Sequence, residues 1–287
     1  MTGTMTMGSV SAAQIEEWQS FLGRNTEDCQ LLDRMSLRRF LAVLGEDDDV
    51  VASEVPEMAH WAYFLPFTRN NEIGPDGHVM RGGFLPPISL PRRMFASGST
   101  RFLAPLQLDR DATCRNAIIG IKHKTGRTGD LVFVEVERTF EQEGSLRLVE
   151  RQTLVYREAG GQTPAPQLRD TGHEDALVWQ PGPVDLFRFS AVTFNGHRIH
   201  YDSAYARDEE GYPDLVVHGP FTASMLCRAM VRAAPEQSLE TFAFRAKAPL
   251  FVNQPIRLHV VRDGCTVKAC AIRQDGEHAM TAEGSFR

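Results

Sequence analysis

The pattern of hydrophobic and polar positions changes its period along the chain. In the first sixty residues, apolar positions recur at helical spacing and predict two short amphipathic helices, each ending at a glycine, Gly23 or Gly45. Between about residue 101 and Tyr156 the period falls to two, with a turn at Glu143-Gly144, which predicts an antiparallel meander. The predicted apolar faces of the helices are Ile15, Trp18, Phe21 and Leu22 in the first and Leu37, Phe40, Leu41 and Leu44 in the second.

The second half of the chain ends in the same pattern. The frame R-x-x-A-P-L stands at the head of each meander, as RFLAPL from Arg101 and as RAKAPL from Arg245, so we interpret the halves as copies of one unit. Between them, GGQTPAPQLRDTGHEDA is rich in proline, glycine and polar residues and is typical of a linker. The strands predicted in the second half lie near residues 240–247, 256–262, 266–273 and 278–286, with turns at Asp263-Gly264 and Asp275-Gly276.

One helix distinguishes the two halves. In the second, PFTASMLCRAMVRAA carries apolar residues at helical spacing, with Pro220 in the first turn and Pro235 after the end. The corresponding stretch of the first half, GPDGHVMRGGFLPPISLPRRM, contains four prolines and four glycines and cannot hold such a helix. We therefore predict a domain at residues 1–159 without a long helix, a linker at 160–180, and a domain at 181–287 built around one.

Composition narrows the class of protein. With 287 residues, 42% hydrophobic and 24% charged, the chain is expected to form a packed core. A net charge of -6 with scattered basic residues argues against a nucleic-acid partner. Five cysteines without a CxxC pair predict neither a disulfide framework nor a zinc knuckle. No segment approaches the roughly 18 apolar residues of a membrane span and no signal peptide is recognised, so we expect a cytoplasmic protein without a membrane partner.

Candidate chemistry is concentrated in FNGHRIHYD, from Phe194 to Asp202. This stretch places an amide, two histidines and a carboxylate between apolar segments. Asn195-Gly196 is also a common signature of a tight turn, so the cluster could be only a hairpin tip. His197 and His200 form an HxxH pair to which His218 could be added, but no further ligand set accompanies them, and we predict no metal site.

A strand, a polar turn, an HG-P step, a buried helix and a meander together describe a hot-dog fold, in which a sheet wraps a helix. RFSAVTFNGHRIHYDSAYA followed by LVVHGPFTASML resembles the MaoC-like hydratases. The closest resemblance is to their two-domain branch, the type 2 hydroxyacyl-thioester dehydratases and the itaconyl-CoA or mesaconyl-C4-CoA hydratases. AHWAYFLP and GGFLPPISLPRRM also stand where that branch has them.

This resemblance implies an α+β double hot dog whose central helix is complete only in the C-terminal half. It implies a hydro-lyase that adds water reversibly to an α,β-unsaturated acyl-CoA, with a branched C5 dicarboxylyl group preferred. The first domain would accommodate the substrate and the second would catalyse the reaction. Coenzyme A is then part of the substrate, and no separate cofactor is expected.

The resemblance also implies roles for individual residues. Members of the family carry an acid five positions before a catalytic histidine and an Asp two positions after it, which match Asn195, His200 and Asp202. Because an amide does not exchange protons, we assign His200 as the base in hydration and the acid in dehydration, and Asn195 as the group that orients the water. Gly219, at the start of the long helix, is expected to offer its N–H to the thioester oxygen, and His218 is interpreted as structural.

The substrate contacts are less defined by the sequence. Arg92, Arg93 or Arg198 is expected to pair with CoA phosphates or with a free carboxylate of the acyl group, although Arg92-Arg93 could be a solvated surface pair. His197 and Tyr63 are further candidates for substrate contact, with Tyr63 as core or tunnel lining. Rival functions are an (R)-3-hydroxyacyl-thioester dehydratase of fatty-acid or sterol side-chain metabolism, a hot-dog thioesterase, and a non-catalytic acyl-CoA-binding partner. Either a monomer or a homo-oligomer fits a duplicated fold.

Overall fold

The meanders of the two halves join into one antiparallel sheet in the computed structural model, which describes residues 10–46, 53–126, 129–169 and 172–287. The first half supplies β1 (Asn25–Leu31), β2 (Glu54–Val55), β3 (Arg92–Phe102), β4 (Leu106–Gln107), β5 (Asp111–Gly126), β6 (Gly129–Gln142) and β7 (Ser145–Arg157). The second half supplies β8 (Leu177–Trp179), β9 (Leu239–Ala246), β10 (Ile256–Asp263), β11 (Thr266–Ile272) and β12 (His278–Phe286). β2 and β4 pair separately as a short ladder.

The order of the ten strands shows the duplication directly. The sheet reads β1-β5-β6-β7-β3-β9-β12-β11-β10-β8, so the second half repeats the order of the first in reverse. The two halves meet where β3 pairs with β9, with Ser97 opposite Arg245 and Arg101 opposite Thr241. The arginines of the two R-x-x-A-P-L frames therefore lie on equivalent central strands, and the predicted double hot dog is confirmed.

The strands follow the predicted alternation. Val132, Val134 and Val136 of β6 are buried on one face, as the period of two requires. Glu143 and Gly144 both have positive φ, 52° and 70°, which is the geometry of a tight hairpin turn.

Five α-helices are described: α1 (Ala12–Gln19), α2 (Arg34–Val43), α3 (Pro183–Val192), α4 (Ser203–Asp208) and α5 (Gly219–Ala233). α5 is the predicted central helix and packs against β9, β10, β11 and β12. Its buried face includes Phe221, whose ring stacks on that of Phe189 in α3 at 4.5 Å between centroids. Between β2 and β3 the described first half has only short 3-10 helices, at Ala59–Ala62 and Asn70–Glu72, so the predicted loss of a long helix there is confirmed.

Three details differ from the sequence prediction. Leu22 is 45% exposed, because α1 ends at Gln19 and the chain turns at Gly23 before Leu22 can join the apolar face. The first meander starts earlier than predicted, since β3 begins at Arg92. β1 was not predicted, because its sequence NTEDCQL forms an exposed edge strand without apolar alternation.

β8 falls inside the predicted linker and pairs with β10. The domain boundaries themselves stay a prediction. Within the described ranges, none of the helices has the length and apolar character that crossing a bilayer requires.

Candidate active site

A cavity of about 1420 Å³ lies between the two halves and is lined by both. It is larger than the roughly 300–1,000 Å³ of a site for a drug-sized ligand, so a bulky acyl thioester fits within it. All of the predicted site residues except Arg198 line it. Those residues are Tyr63, Arg92 and Arg93 from the first half and Asn195, His197, His200 and Gly219 from the second.

The segment FNGHRIHYD is an irregular connection between helices, so the alternative of a hairpin tip is wrong. The strand predicted before this segment is wrong as well, since helix α3 occupies that stretch. α3 ends at Val192, and the left-handed residue after it is Phe194, with φ of 48°, rather than Asn195 or Gly196. A 3-10 helix at Arg198–His200 then leads into α4. Asp202 caps α4 by accepting a hydrogen bond from the Tyr205 N–H at 3.0 Å, which explains the carboxylate at this position.

His200 is placed as a general base would be. The ring is buried, with 7% of the residue exposed, and its Nδ1 lies 2.7 Å from the Val216 carbonyl oxygen. A carbonyl only accepts, so Nδ1 carries the proton and Nε2 keeps a free lone pair. Burial lowers the pKa of His200 to about 4, against the opposing effect of the Val216 hydrogen bond. The imidazole is therefore neutral near pH 7 and able to accept a proton.

His200 also lies at the amino end of α5. Its ring stacks on that of His218, the N-cap residue of α5, at 3.6 Å between centroids. His218 is fully buried, and its Nε2 lies 2.8 Å from the Ser190 hydroxyl, which ties the helix start to α3. Burial holds the pKa of His218 well below its usual range, so it remains an uncharged structural residue.

Gly219 is the first residue of α5 and faces the cavity. Its N–H has no carbonyl four residues back within the helix, and the helix dipole concentrates positive potential at this end. A thioester oxygen that becomes negative beside Gly219 would be stabilised there.

The oxygen and the NH2 group of the Asn195 side chain have different environments. Its Oδ1 accepts the His197 backbone N–H at 3.0 Å, and its own N–H donates to the Ser190 carbonyl at 2.8 Å. The side-chain NH2 makes no hydrogen bond with any residue of the described chain. Asn195 can therefore offer a donor to a bound water, while its Oδ1 already accepts one hydrogen bond.

The first half adds a loop that sequence reasoning missed. His78 lines the cavity, and its ring lies 3.9 Å from that of His197 between centroids. Its Nδ1 is 3.1 Å from the Asp76 carboxylate. The His197 ring in turn meets the His200 ring edge-on at 5.3 Å, so one continuous row of imidazoles crosses the cavity. The only local signal was the turn-like PDGH, which does not reveal a partner more than a hundred residues away.

Gly77 sets how closely this loop approaches the segment FNGHRIHYD of the second half. Its φ is +85°, and a Cβ at this position would clash with the Gly196 backbone carbonyl. Next to it, the Asp76 carbonyl accepts the Arg198 N–H at 2.9 Å. The glycine is therefore required both by its backbone conformation and by the contact between halves.

Gly77→Ala is expected to lower the free energy of unfolding by roughly 2 kcal/mol and to slow turnover, because the strained alanine displaces His78 from His197. Thermal unfolding and initial rates measure both effects. Gly83→Ala is the matched control, since a Cβ at Gly83 meets nothing within 4 Å. Equal behaviour of the two variants would contradict this explanation of Gly77.

The three candidate arginines occupy different environments. Arg92 is buried, with its Nε 3.2 Å from the Glu210 carboxylate, and it also donates to the Gly160 carbonyl at 3.3 Å. Arg198 pairs with Asp202 at 2.7 Å. Arg93 lines the cavity, and in the described part of the chain no carboxylate pairs with it. Among the three, Arg93 is the cation that remains available to a ligand.

Arg93 stands beside the row of imidazoles. It lies opposite Tyr156 in the β3–β7 ladder, where burial raises the pKa of the Tyr156 hydroxyl against the opposing effect of the nearby Arg93 guanidinium. Burial lowers the pKa of His78, against its hydrogen bond to Asp76, and the Arg93 charge lowers it further. Burial, followed by the charges of His78 and His200, also holds the pKa of His197 far below its usual range.

Tyr63 belongs to the core as well as to the cavity wall. The residue is 1% exposed, and its hydroxyl donates to the Asp33 carbonyl at 2.7 Å. Its polar end is thus directed at the protein backbone, and its ring is what it can offer to a substrate.

Comparison with known proteins identifies the family of the chain. The sequence profile of the family "hydroxyacyl-thioester dehydratase type 2" matches residues 58–252. A mesaconyl-C(4)-CoA hydratase of Chloroflexus aurantiacus is 40% identical over 274 residues, which cover 93% of this chain and 96% of the relative. A mitochondrial hydroxyacyl-thioester dehydratase type 2 of Schizosaccharomyces pombe is 26% identical over 232 residues, covering 71% and 77%. The crystal structure of a MaoC-like dehydratase from Phytophthora capsici superposes with a TM-score of 0.69 at 15% identity, over 95% of this chain and 97% of that one.

The family match and the 40% identical hydratase identify the chain as a hydro-lyase that acts on acyl thioesters. More specifically, the chain belongs to the hydroxyacyl-thioester dehydratase type 2 family, with MaoC-like proteins as its structural neighbours.

Proposed function

We propose that this enzyme hydrates a branched C5 dicarboxylyl-CoA, either mesaconyl-C4-CoA or itaconyl-CoA, to citramalyl-CoA. The observation that carries the proposal is Arg93, a cation in the cavity wall that has no carboxylate partner in the described chain and lies beside the imidazoles. The name of the Chloroflexus aurantiacus relative supports the same substrate.

The position of Arg93 suits this acyl group for a chemical reason. In mesaconyl-C4-CoA the free carboxylate is attached to the carbon that water attacks. A cation that binds the carboxylate must therefore lie within a few ångströms of the catalytic water. A guanidinium also matches the two carboxylate oxygens geometrically, which fixes the orientation of the double bond.

Hydration then proceeds with the residues already described. A water held by the Asn195 NH2 group gives one proton to His200 Nε2 while its oxygen forms a bond to the β-carbon. The electron pair of the double bond moves toward the thioester oxygen, where the Gly219 N–H and the α5 amino end stabilise the negative charge. Nε2 then returns the proton to the α-carbon, and the imidazole is neutral again.

In this scheme the protein needs no cofactor beyond the coenzyme A of its substrate, because imidazole and helix dipole supply both the proton transfer and the charge stabilisation. The enzyme is proposed to work as a monomer or a homo-oligomer, since each chain holds both halves of the cavity.

Arg93→Leu is expected to lower kcat/KM for mesaconyl-C4-CoA by about 30-fold or more, since removing one partner of a desolvated charge pair costs about 2 kcal/mol or more. 3-Methylcrotonyl-CoA replaces the carboxylate by a methyl group, and its hydration should change little in this variant. The kcat/KM of Arg93→Lys for mesaconyl-C4-CoA should lie between those of the wild type and Arg93→Leu. The measurement is the loss of enoyl-thioester absorbance.

Arg188→Leu is the control, because Arg188 is an exposed residue of α3 outside the cavity lining. An equal loss with both substrates in Arg93→Leu would show that Arg93 serves the fold rather than the carboxylate. A wild type that hydrates 3-methylcrotonyl-CoA as well as mesaconyl-C4-CoA would remove the dicarboxylate preference altogether.

The runner-up is an (R)-3-hydroxyacyl-thioester dehydratase with a longer acyl chain. Its supporting observation is the size of the cavity, whose wall in the first half includes Phe84, Leu85 and Leu154. A wild type that prefers unbranched enoyl-CoA esters of increasing length over the C5 esters would favour this alternative.

A further inference from the structure

Hydration requires a second hydrogen-bond acceptor besides His200. A water that attacks the β-carbon carries two hydrogens, of which His200 Nε2 removes one. The second must also be directed, or the water rotates out of line with the double bond. The Asn195 Oδ1 already accepts the His197 N–H at 3.0 Å, so it has only its second lone pair to offer.

His78 can supply this acceptor from the other half of the molecule. Its Nδ1 faces the Asp76 carboxylate at 3.1 Å, and a carboxylate accepts only, so the proton of the neutral ring resides on Nδ1. Nε2 is then an acceptor, and the ring faces the cavity. This is the same arrangement as in His200, where the Val216 carbonyl fixes the tautomer at 2.7 Å.

The loop that carries His78 is held firmly in place. Asp76 also accepts the His78 backbone N–H at 3.0 Å, and Arg198 donates to the Pro75 carbonyl at 3.1 Å. Gly77 packs against the Gly196 carbonyl at a distance that excludes any side chain. Such support from both halves is what a group that orients a reacting molecule needs.

We propose that His78, fixed by Asp76, is a further catalytic residue that accepts a hydrogen bond from the attacking water. It takes the place of the carboxylate that the family carries at position 195. The inference rests on hydration at His200, but it does not depend on the C5 acyl group. The oxygen bonds to the β-carbon, the proton on the His200 side leaves and returns to the α-carbon, and the hydrogen directed at His78 stays on the product hydroxyl.

The charges around His78 agree with an acceptor role. The groups that face it are Asp76, His197, Arg93 and Arg81. Burial lowers the pKa of His78, and both arginines act in the same direction, against the Asp76 carboxylate. The ring is therefore neutral near pH 7, with a lone pair available to the water.

His197 is the competing acceptor, since it lies between the other two rings. Its ring nitrogens make no hydrogen bond with any described residue, so its tautomer is not fixed, in contrast to His78 and His200. Variants of both residues separate the two assignments.

The test compares His78→Leu, His78→Gln and His78→Ala, assayed with whichever of mesaconyl-C4-, itaconyl- and crotonyl-CoA the wild type hydrates fastest. His78→Leu should lower kcat by on the order of 10²-fold with KM nearly unchanged, because the water loses its alignment. The kcat of His78→Gln should fall less, since an amide oxygen can accept the hydrogen bond from the water. Added imidazole should restore part of the rate to His78→Ala.

His123→Leu is the matched control, because His123 also pairs with a carboxylate, Asp130 at 2.8 Å, but lies outside the cavity lining. Binding of butyryl-CoA, a saturated thioester, shows that each variant keeps its site. A His78→Leu enzyme that binds butyryl-CoA and retains the wild-type kcat would overturn the proposal. So would equal losses in the Leu and Gln variants without imidazole rescue, or a loss confined to His197→Leu. A wild type active only on crotonyl-CoA would refute the C5 substrate and leave this test valid.

Discussion

His200→Ala is expected to lower kcat for hydration by roughly 10³-fold, in the middle of the range of about 10²–10⁴ for general acid–base catalysis. His200 combines a buried ring, a tautomer fixed at 2.7 Å from the Val216 carbonyl, and a position against the amino end of α5. Both proton transfers of the proposed reaction pass through its Nε2. No other single side chain of the site takes part in both steps.

The measurement is single-turnover hydration of an enoyl-CoA together with butyryl-CoA binding. Binding should change little, because thioester contacts at Gly219 do not involve the imidazole. His278→Ala is a suitable control, since His278 is exposed on β12. A His200→Ala enzyme with near-normal kcat would remove His200 from the mechanism and, with it, the proposed reaction path.

His200 also determines how kcat/KM falls at acidic pH. A base must be unprotonated to act, so kcat/KM falls as the pH drops through the pKa of His200 in the free enzyme, which burial lowers to about 4. Activity should therefore change little between about pH 7 and 5, whereas an ordinary histidine with a pKa of about 6.5 would already be mostly protonated at pH 5. An acid limb near pH 6.5 would contradict a buried neutral base.

The stability of the folded protein limits the pH range over which this rate profile can be measured. The pKa values of His78, His197, His200 and His218 are all lowered in the folded protein, chiefly by burial. The unfolded chain binds protons at these residues below about pH 6.5, while the folded chain does not. Stability therefore decreases as the pH falls below that value, and each rate must be measured with a check that the protein remains folded.

The parts of the site that the sequence predicted are those encoded locally. Asn195, His200 and Gly219 lie within two short motifs whose order follows the chain, and the structure brings them to one cavity. The central helix and the strands of the second half were predicted because apolar spacing identifies a buried face. These features depend on residues a few positions apart.

What the sequence did not reveal depends on contacts between distant segments. His78 acquires a role only because the loop of the first half docks on Gly196 of the second. Arg92, Arg93 and Arg198 look alike in the sequence, and it is their carboxylate partners that distinguish them. Arg92 pairs with Glu210 and Arg198 with Asp202, whereas no carboxylate of the described chain pairs with Arg93. Such differences arise from the fold.

The buried charge network of the first half also depends on contacts between distant segments. Glu150 is 1% exposed on β7, in the inward-facing register shared with Leu148 and Gln152. One carboxylate oxygen lies 2.8 Å from the Trp61 indole nitrogen, and the other lies 3.2 Å from Arg138. His60 approaches the same carboxylate at 3.3 Å, so two residues of AHWAYFLP and two strands meet at Glu150. This network occupies the half that lacks a central helix.

Glu150→Leu is expected to lower the free energy of unfolding by about 3–5 kcal/mol, because it leaves Arg138 and the Trp61 N–H buried without their partner. Urea unfolding measures the loss. Glu137→Leu is the matched control, since Glu137 pairs with the exposed Arg151 at 2.9 Å and such surface pairs contribute about 0–1 kcal/mol. Equal stability of the two variants would mean that Arg138 and Trp61 find other partners when Glu150 is removed.

The pH dependence of the free energy of unfolding tests whether the stability contribution of Glu150 comes from its charge. Burial alone would raise the pKa of Glu150, but His60 and Arg138, with Gln152, hold it at about 2. The carboxylate therefore contributes stability above its unfolded pKa of about 4.3, and this contribution is lost as the pH falls toward 2. In the wild type it adds to the histidine effect, which begins near pH 6.5, whereas Glu150→Leu should lose this part of the pH dependence. Because Trp61, Arg138 and Gln152 also line the cavity, the variant should bind acyl-CoA more weakly even where it remains folded.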